Sequence, residues 1–347
     1  MRVMVTGGTG FIGAHTVRAL LDARHEVRLL VRDPALLDAV LRPLGVDDVD
    51  HVVGDARDAD KVSRVLVGCD AAVHAAAVVA MDQRRAEQVT ATNLAATQCV
   101  LDGARRAGLD PIVYVSSVSA LSPSAGAMRP DSPVAAPQGA YARSKAAAER
   151  YARGLQAEGV PVAITYPAMV LGPPAGSRRS SDAGDFFVAV LKHGAAVGMR
   201  GAWSVVDVRD VAAVHAALVR PGAGPRRYTV GGTFLEYRDA LTMIEQVTGR
   251  RLRRIDVPVA PLRALAWVAE AIGRVVPLSS YLTPEALASV VDAVPVDDSR
   301  TTTELRVRFR DPAVTLAATI RGLYETGELS AAQVGTLASP MPGRSHA

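Results

Sequence analysis

Val3-Met4-Val5-Thr6-Gly7-Gly8-Thr9-Gly10-Phe11-Ile12-Gly13 decides the fold. Val3–Val5 is an apolar strand. Three glycines at 7, 10 and 13 follow, and a helical stretch then runs to Arg24. A second apolar strand, Val27–Val31, comes next. Strand, glycine-rich turn, helix and strand in that order make the front half of a dinucleotide-binding unit. Gly7 can take the positive φ of a tight turn, Gly10 lets backbone approach a pyrophosphate, and Gly13 permits close packing. The amides of Thr9 to Gly13 then face the phosphates at the positive end of the helix.

The pattern alternates onward from there. Strands are predicted at 50–53, 70–75, 111–116 and 161–166, and helices at 34–43, 58–67, 84–107 and 140–158. Alternation of this kind implies a doubly wound parallel sheet of the Rossmann type, with ligands beyond the strand C-termini. Beyond 172 the alternation stops. A strand at 202–207, a helix at 209–219 and a strand at 228–230 would complete the first domain, residues 1–172. Residues 173–201 and 231–327 read as a smaller, mostly helical cap over the substrate, with helices at 235–248, 261–276, 283–291 and 312–326. The stretch 175–185 reads as a lid or a surface loop, and 328–347 as a flexible tail.

The bulk composition narrows the function classes. The chain has 347 residues, 49% of them hydrophobic, yet no apolar run approaches the ~18 needed to span a membrane. It opens directly on strand residues, so a cytoplasmic protein without a leader is expected. Two cysteines, Cys69 and Cys99, are too few for a disulfide framework or a cysteine-based metal site, and no metal is expected. The net charge of +4 comes with only 4% aromatics, a poor stacking platform for single-stranded nucleic acid, so no nucleic-acid partner is expected. The runs Arg250–Arg254 and Arg306–Arg310 read as solvated faces.

Residues at the strand tips carry the chemistry. Strand two ends in Val31-Arg32-Asp33-Pro34, where a carboxylate normally takes the ribose hydroxyls. Arg32 can instead pair with a 2′-phosphate, which favours NADP(H); Asp33 is the ribose ligand of an NAD(H) site or a turn residue. Asp55 with the Ala56 amide can meet the adenine edge, and Asp58 caps the next helix. Ala75, Ala76 and Ala77 are small enough for close approach to ribose and pyrophosphate. His74 reads as a packed strand-end histidine, with a catalytic base as the alternative, and Asn93 as a bridge to buried backbone or water. Strand five delivers Ser116 and Ser117, and Tyr141-Ala142-Arg143-Ser144-Lys145 follows 24 residues after Ser117. Tyr141 and Lys145 share one helix face at i and i+4. An ammonium there stabilises a tyrosinate and suits proton transfer, while Ser117 can bond the same substrate oxygen.

Together the glycine motif, Asp55, Ser117, Tyr141 and Lys145 resemble the extended short-chain dehydrogenase/reductases of the NAD-dependent epimerase/dehydratase family. The likeness continues through Tyr166–Pro173, Val206–Ala212 and Val296–Arg300, and so covers about residues 1–327. It implies that Ser117, Tyr141 and Lys145 are the catalytic trio, that Lys145 holds the nicotinamide ribose, and that Asn93 matches a water-relay asparagine. Pro167 and Val170 would then lie on the cofactor side. Val79, Ser117, Ala168 and Met169 would line the substrate, and Trp203 would line it or pack beneath the cap. The Leu30–Pro34 tip is similar to the dihydroflavonol-reductase-like branch, which reduces carbonyls with NADPH. Sugar-nucleotide enzymes usually carry an acidic residue at the position of Val31 and an asparagine soon after the position of Pro167, and neither is present. A carbonyl reductase of a small apolar substrate, possible as a homodimer through the helices at 84–107 and 140–158, is therefore expected. A nucleotide-sugar epimerase or dehydratase, a 3β-hydroxysteroid dehydrogenase and a non-catalytic NADP sensor are the alternatives.

Overall fold

A computed structural model describes residues 1–78, 86–137, 139–176, 184–273 and 284–339. Val79 and residues 177–183 of the expected lid lie outside the described residues.

The glycine motif sits between β1 (Arg2–Thr6) and α1 (Phe11–Asp22), and β2 (Glu26–Val31) follows. α2 (Leu36–Leu41), β3 (Asp50–Val53), α3 (Ala59–Leu66), β4 (Ala71–His74) and α4 (Ala86–Arg106) continue the alternation. β5 (Ile112–Val115), α5 (Ala140–Ala157) and β6 (Val162–Pro167) complete it. Each expected helix and strand of this half is present, trimmed by a residue or two.

After β7 (Met169–Leu171), the chain forms α6 (Gly184–His193), β8 (Ala195–Gly198), β9 (Ala202–Asp207), α7 (Val208–Leu218), β10 (Arg226–Val230), β11 (Thr233–Glu236) and α8 (Tyr237–Thr248). β12 (Arg253–Asp256), α9 (Val259–Gly273), α10 (Pro284–Val291), α11 (Ser299–Leu305), α12 (Pro312–Glu325) and α13 (Ala331–Val334) follow.

Seven strands form one parallel sheet in the order β10-β6-β5-β4-β1-β2-β3. The order reverses between β1 and β4, and that crevice is where an open α/β sheet takes its ligand. Strand periodicity divides the core into two layers. Val3, Val5, Leu29, Val31, Val73 and Val113 pack with α1 and α7 on one face. Met4, Leu30, Ala72, Ile112 and Tyr114 pack with α3, α4 and α5 on the other.

The 202–207 strand, expected to complete the first domain, is β9 and pairs instead in a smaller sheet, β11-β9-β7. That sheet and the pair β12-β8 lie outside the seven-stranded sheet and form, with the later helices, the part called the cap. Its core joins Phe187, Trp203, Leu235, Tyr237, Ile244 and Ile320. The tail expected to be flexible from 328 is folded through Ser339. Ser330 and Gln333 make a reciprocal capping box on α13, and Leu329, Val334 and Leu337 are buried in the cap core. Three apolar side chains at that spacing outweigh the small, polar composition around them.

Of the basic runs, read as solvated faces, Arg251, Arg253, Arg254, Arg306, Arg308 and Arg310 are exposed and Arg250 is half-buried. Arg250 donates to the Leu191 and Gln333 carbonyls at 3.1 and 2.6 Å, and Arg310 clasps the buried Asp210. Asp207 and Asp210 are structural. Asp207 caps α7, accepting from the Arg209 amide at 2.8 Å, and also takes the Arg209 side chain and the Thr315 hydroxyl.

Candidate active site

The three motif glycines meet three different surroundings. Gly7 has φ 76°, and a Cβ there would lie 2.7 Å from the Ala76 amide nitrogen, so the turn presses against the end of β4. A Cβ on Gly13 would stand 2.0 Å from the Gly7 carbonyl oxygen, so α1 starts directly on the turn. At Gly10 a Cβ would meet only that same carbonyl, at 3.2 Å, and open space otherwise. Gly10 is also the N-cap of α1, and no side chain caps the helix. An uncapped N-terminus over an open glycine is what a pyrophosphate needs, so these residues fit a dinucleotide.

Arg32 is exposed at the tip of β2, next to Gly54, whose amide donates to the Val31 carbonyl at 2.8 Å. Asp33 Oδ1 accepts from the Ala35 amide at 3.1 Å, which makes it a turn residue. The Asp55 carboxylate is gripped by Arg57, at 3.0 Å from Nε and 2.9 Å from Nη2. That pairing, with the Arg32 charge behind it, holds Asp55 below the usual carboxylate range. Asp58 caps α3, accepting from the Asp60 and Lys61 amides. Arg57 is a second arginine at this corner. Nothing in the sequence marked it, because its reach across to Asp55 depends on the turn.

His74 is a packed histidine. It is buried, and its ring lies in a chain whose directions can be assigned. The Thr97 hydroxyl is committed to the Asn93 carbonyl, so in the neutral ring Nε2 carries the proton and Nδ1 accepts from the Thr6 hydroxyl at 2.7 Å, while Thr6 Oγ1 accepts from the Ala76 amide at 3.3 Å. Nε2–H then donates to Thr97 Oγ1 at 3.2 Å, and the Thr97 hydroxyl to the Asn93 carbonyl at 2.9 Å. Burial, with the Lys145 charge, pushes its pKa down to about 3. A neutral ring with both nitrogens engaged makes a poor base.

The Asn93 side chain is equally committed. Oδ1 accepts from the Val78 amide at 2.8 Å. Nδ2 donates to the Val78 carbonyl at 2.8 Å and to Ser144 Oγ at 3.0 Å. Both amide protons are used, so Asn93 ties the loop after β4 to α5 and has little left for a water relay.

Ser117 follows β5 and caps a short turn, accepting from the Ser119 amide at 3.2 Å and sharing a bond with its hydroxyl. Tyr141 and Lys145 lie in the first turns of α5. Lys145 is buried, and its Nζ donates to the Val115 carbonyl at 3.1 Å, two residues before Ser117. Burial pushes its pKa down to about 8, against the opposing pull of Glu149. The sequence reading passed over Glu149, which is wholly buried one turn beyond Lys145. A second i+4 step in an alanine-rich helix was the available signal.

Pro167 ends β6 in the core, and Val170 is buried in the layer formed with α1 and α7. Ala168 and Met169 are half-buried between them. Of the two readings of Trp203, lining the substrate or packing beneath the cap, the structure shows it packed inside the cap core. Its ring is buried, 5.2 Å from Phe186 and 4.9 Å from Tyr237. β9 carries it there by pairing with β7 and β11, a fact of sheet pairing that its sequence neighbours do not encode.

Comparison with known proteins places this arrangement. Residues 3–231 match the NAD dependent epimerase/dehydratase family. The chain belongs to that family. It is 32% identical over 278 residues, 77% of this chain and 78% of the other, to a Synechocystis protein provisionally named dihydroflavonol 4-reductase. It is 30% identical over 281 residues, 79% and 83% of the two chains, to sterol demethylase protein B of Methylococcus capsulatus. The solved structure of gox2253 superposes with a TM-score of 0.77 at 26% identity, covering 94% of this chain and 99% of that one. Other relatives carry the names 3 beta-hydroxysteroid dehydrogenase/Delta 5-->4-isomerase and dTDP-glucose 4,6-dehydratase. The chain is thus an extended short-chain dehydrogenase/reductase built for an NAD(P) cofactor. Among the described residues, no helix is long and apolar enough to cross a membrane.

Proposed function

We propose that the protein is an NADPH-dependent reductase of a small, largely apolar ketone or aldehyde, working reversibly as an alcohol dehydrogenase. The observation that carries this reading is Lys145, a buried ammonium held on the Val115 carbonyl, one helical turn from Tyr141 and beside strand-end Ser117. When bound, a reduced nicotinamide supplies the hydride. The chain's own residues do the rest. Gly7 to Gly13 and the α1 N-terminus hold the pyrophosphate, with Ala75, Ala76 and Ala77 alongside. Arg32 takes the 2′-phosphate. Tyr141 gives its phenolic proton to the carbonyl oxygen, and Ser117 donates a hydrogen bond to the same atom. Lys145 keeps a positive charge under Tyr141 and holds the nicotinamide ribose. Asn93 acts by fixing α5 against the loop after β4.

An apolar substrate is supported by Ala168 and Met169, which cannot bond a sugar or a phosphate, and by the sterol-linked name of one relative. The deciding assay follows NADPH absorbance with aromatic ketones, steroids and UDP- or dTDP-sugars. Ketone turnover without detectable nucleotide-sugar binding is expected. A micromolar nucleotide-sugar complex by calorimetry would move the protein to the epimerase branch. Tyr141→Phe should retain the fold and NADPH affinity and lose about 10²–10⁴ in rate. Lys145→Met should lose at least as much and bind cofactor more weakly, and Ser117→Ala should lose less than either. Turnover of Tyr141→Phe within a few-fold of wild type would remove Tyr141 as the acid.

A further inference from the structure

Tyr141 and Lys145 are the first two residues of a row on α5, and Glu149 is the third. Its carboxylate is wholly shielded from solvent. Oε2 accepts from Ser116 Oγ at 2.8 Å. Oε1 accepts from the Tyr166 hydroxyl and from Arg153 Nε, each at 2.6 Å, and Arg153 Nη2 reaches the Tyr166 hydroxyl at 3.2 Å. Three donors, one of them the Arg153 cation, satisfy the carboxyl group in a place where an unpartnered one would be costly. Replacing a whole buried ion pair such as Glu149–Arg153 by well-packed apolar residues is often neutral or stabilising, so packing by itself does not account for a buried carboxyl group here.

The network also lies against the reaction centre. Ser116 precedes Ser117, and Val115, which precedes Ser116, receives the Lys145 ammonium. We propose that Glu149 is a positioning residue for the reaction, keeping the Lys145 ammonium charged through its field and fixing the Ser116–Ser117 stretch through its hydrogen bond. This rests on the cofactor-holding role given to Lys145 above.

The other groups around the pair leave Glu149 as the source of that field. His74 of β4 is neutral. Burial raises the phenols of Tyr114 on β5 and Tyr166 on β6, so both keep their protons. On α5 itself, Tyr141 and Arg153 flank the row. α4 contributes Asp102, which takes the Tyr151 hydroxyl, and Glu87, which lines a surface cavity with Arg143 and Arg150. Glu149 is the acid that opposes the burial of Lys145, and Arg153 takes part of its charge.

The two partners of Glu149 therefore make opposite predictions. NADPH binding is measured by its fluorescence from pH 6 to 10, which needs no knowledge of the substrate. The 2′-phosphate titrates near about 6 and stays clear of the basic limb. Wild-type affinity should fall through a limb set by Lys145. Glu149→Gln should move that limb lower by about one pH unit. Arg153→Met frees the Glu149 charge and should move it higher by about half a unit. A limb unmoved in both variants, or a uniform loss of affinity at every pH in both, overturns the proposal and leaves a structural role. A limb that persists in Lys145→Met instead refutes the parent reading of Lys145. Should Glu149→Gln fail to fold, as judged by circular dichroism, Arg153→Met decides alone, since a structural role gives no upward shift.

Discussion

At the scale of single residues, the proposed preference for NADPH rests on the corner formed by Arg32, Asp33, Asp55 and Arg57. Asp33 spends an oxygen on the Ala35 amide and Asp55 is held by Arg57, so neither acid is presented freely to a ribose. Arg32 is exposed at the strand tip, and the proposed function gives it the 2′-phosphate. NADPH should bind at least about tenfold more tightly than NADH, a difference of about 1.4 kcal/mol. Arg32→Ala should erase most of that difference. Arg57→Ala should erase less, because its guanidinium is already committed to Asp55. A wild type that prefers NADH in the same titration would make Asp33 or Asp55 the ribose ligand. Arg32 was readable in the sequence because a strand tip is a fixed address in this fold. Arg57 was not, since its partner is chosen by the turn after β3.

At the scale of elements, α1 and α7 are locked to the sheet by one buried histidine. His215 of α7 bonds Thr16 of α1 through Nδ1 at 2.8 Å and Thr165 of β6 through Nε2 at 3.1 Å. Burial pushes its pKa down to about 3, as it does for His74. The unfolded chain takes up protons at these imidazoles below about pH 6.5, while the native state does not. Their contribution to stability is therefore full above about pH 6.5 and is lost progressively as the pH falls toward 3. Asp298 acts in the opposite sense. Burial lifts it to about 6 although the Gly231 and Gly232 amides bond it, so the native state gains a proton there before the unfolded chain does. Comparing variants isolates the histidine from that offset. His215→Asn, lacking the titration, should lose about 1.4 kcal/mol less per pH unit than wild type below pH 6.5, read from urea midpoints at pH 7 and 5. Equal losses in the two proteins would show that His215 is not held neutral.

At the scale of the whole molecule, the cap depends on the chain's last described turns. Leu329, Val334 and Leu337 close a core begun by β9, α8 and α12. Ending the chain at Gly327 would remove all three and uncover the apolar side chains they pack against, and the buried area lost corresponds to about 5 kcal/mol. The truncated protein should unfold at a clearly lower denaturant midpoint, and an unchanged midpoint would mean that the segment is dispensable.

What the sequence determined by itself is the half of the molecule in which neighbours along the chain are neighbours in space. β1 to β6 and their helices were legible because alternating periods of two and 3.6 residues, punctuated by glycine, dictate both the elements and the edge where their ends meet. Ser117, Tyr141 and Lys145 were legible for the same reason, each occupying a strand end or a helix face. Tertiary structure alone decided what depends on contacts distant in the chain. Trp203 turned into the cap core because β9 pairs with β7 and β11, and the segment after 328 folded because a pocket of apolar side chains awaited it. Within the basic runs, Arg250 and Arg310 found partners distant in the chain, the Leu191 and Gln333 carbonyls and Asp210. Glu149 likewise acquired its burial from β5 and β6, to which it is bonded across 33 and 17 residues of chain. Local periodicity records which face a residue lies on, whereas the partners gathered against that face are fixed only when the layers close.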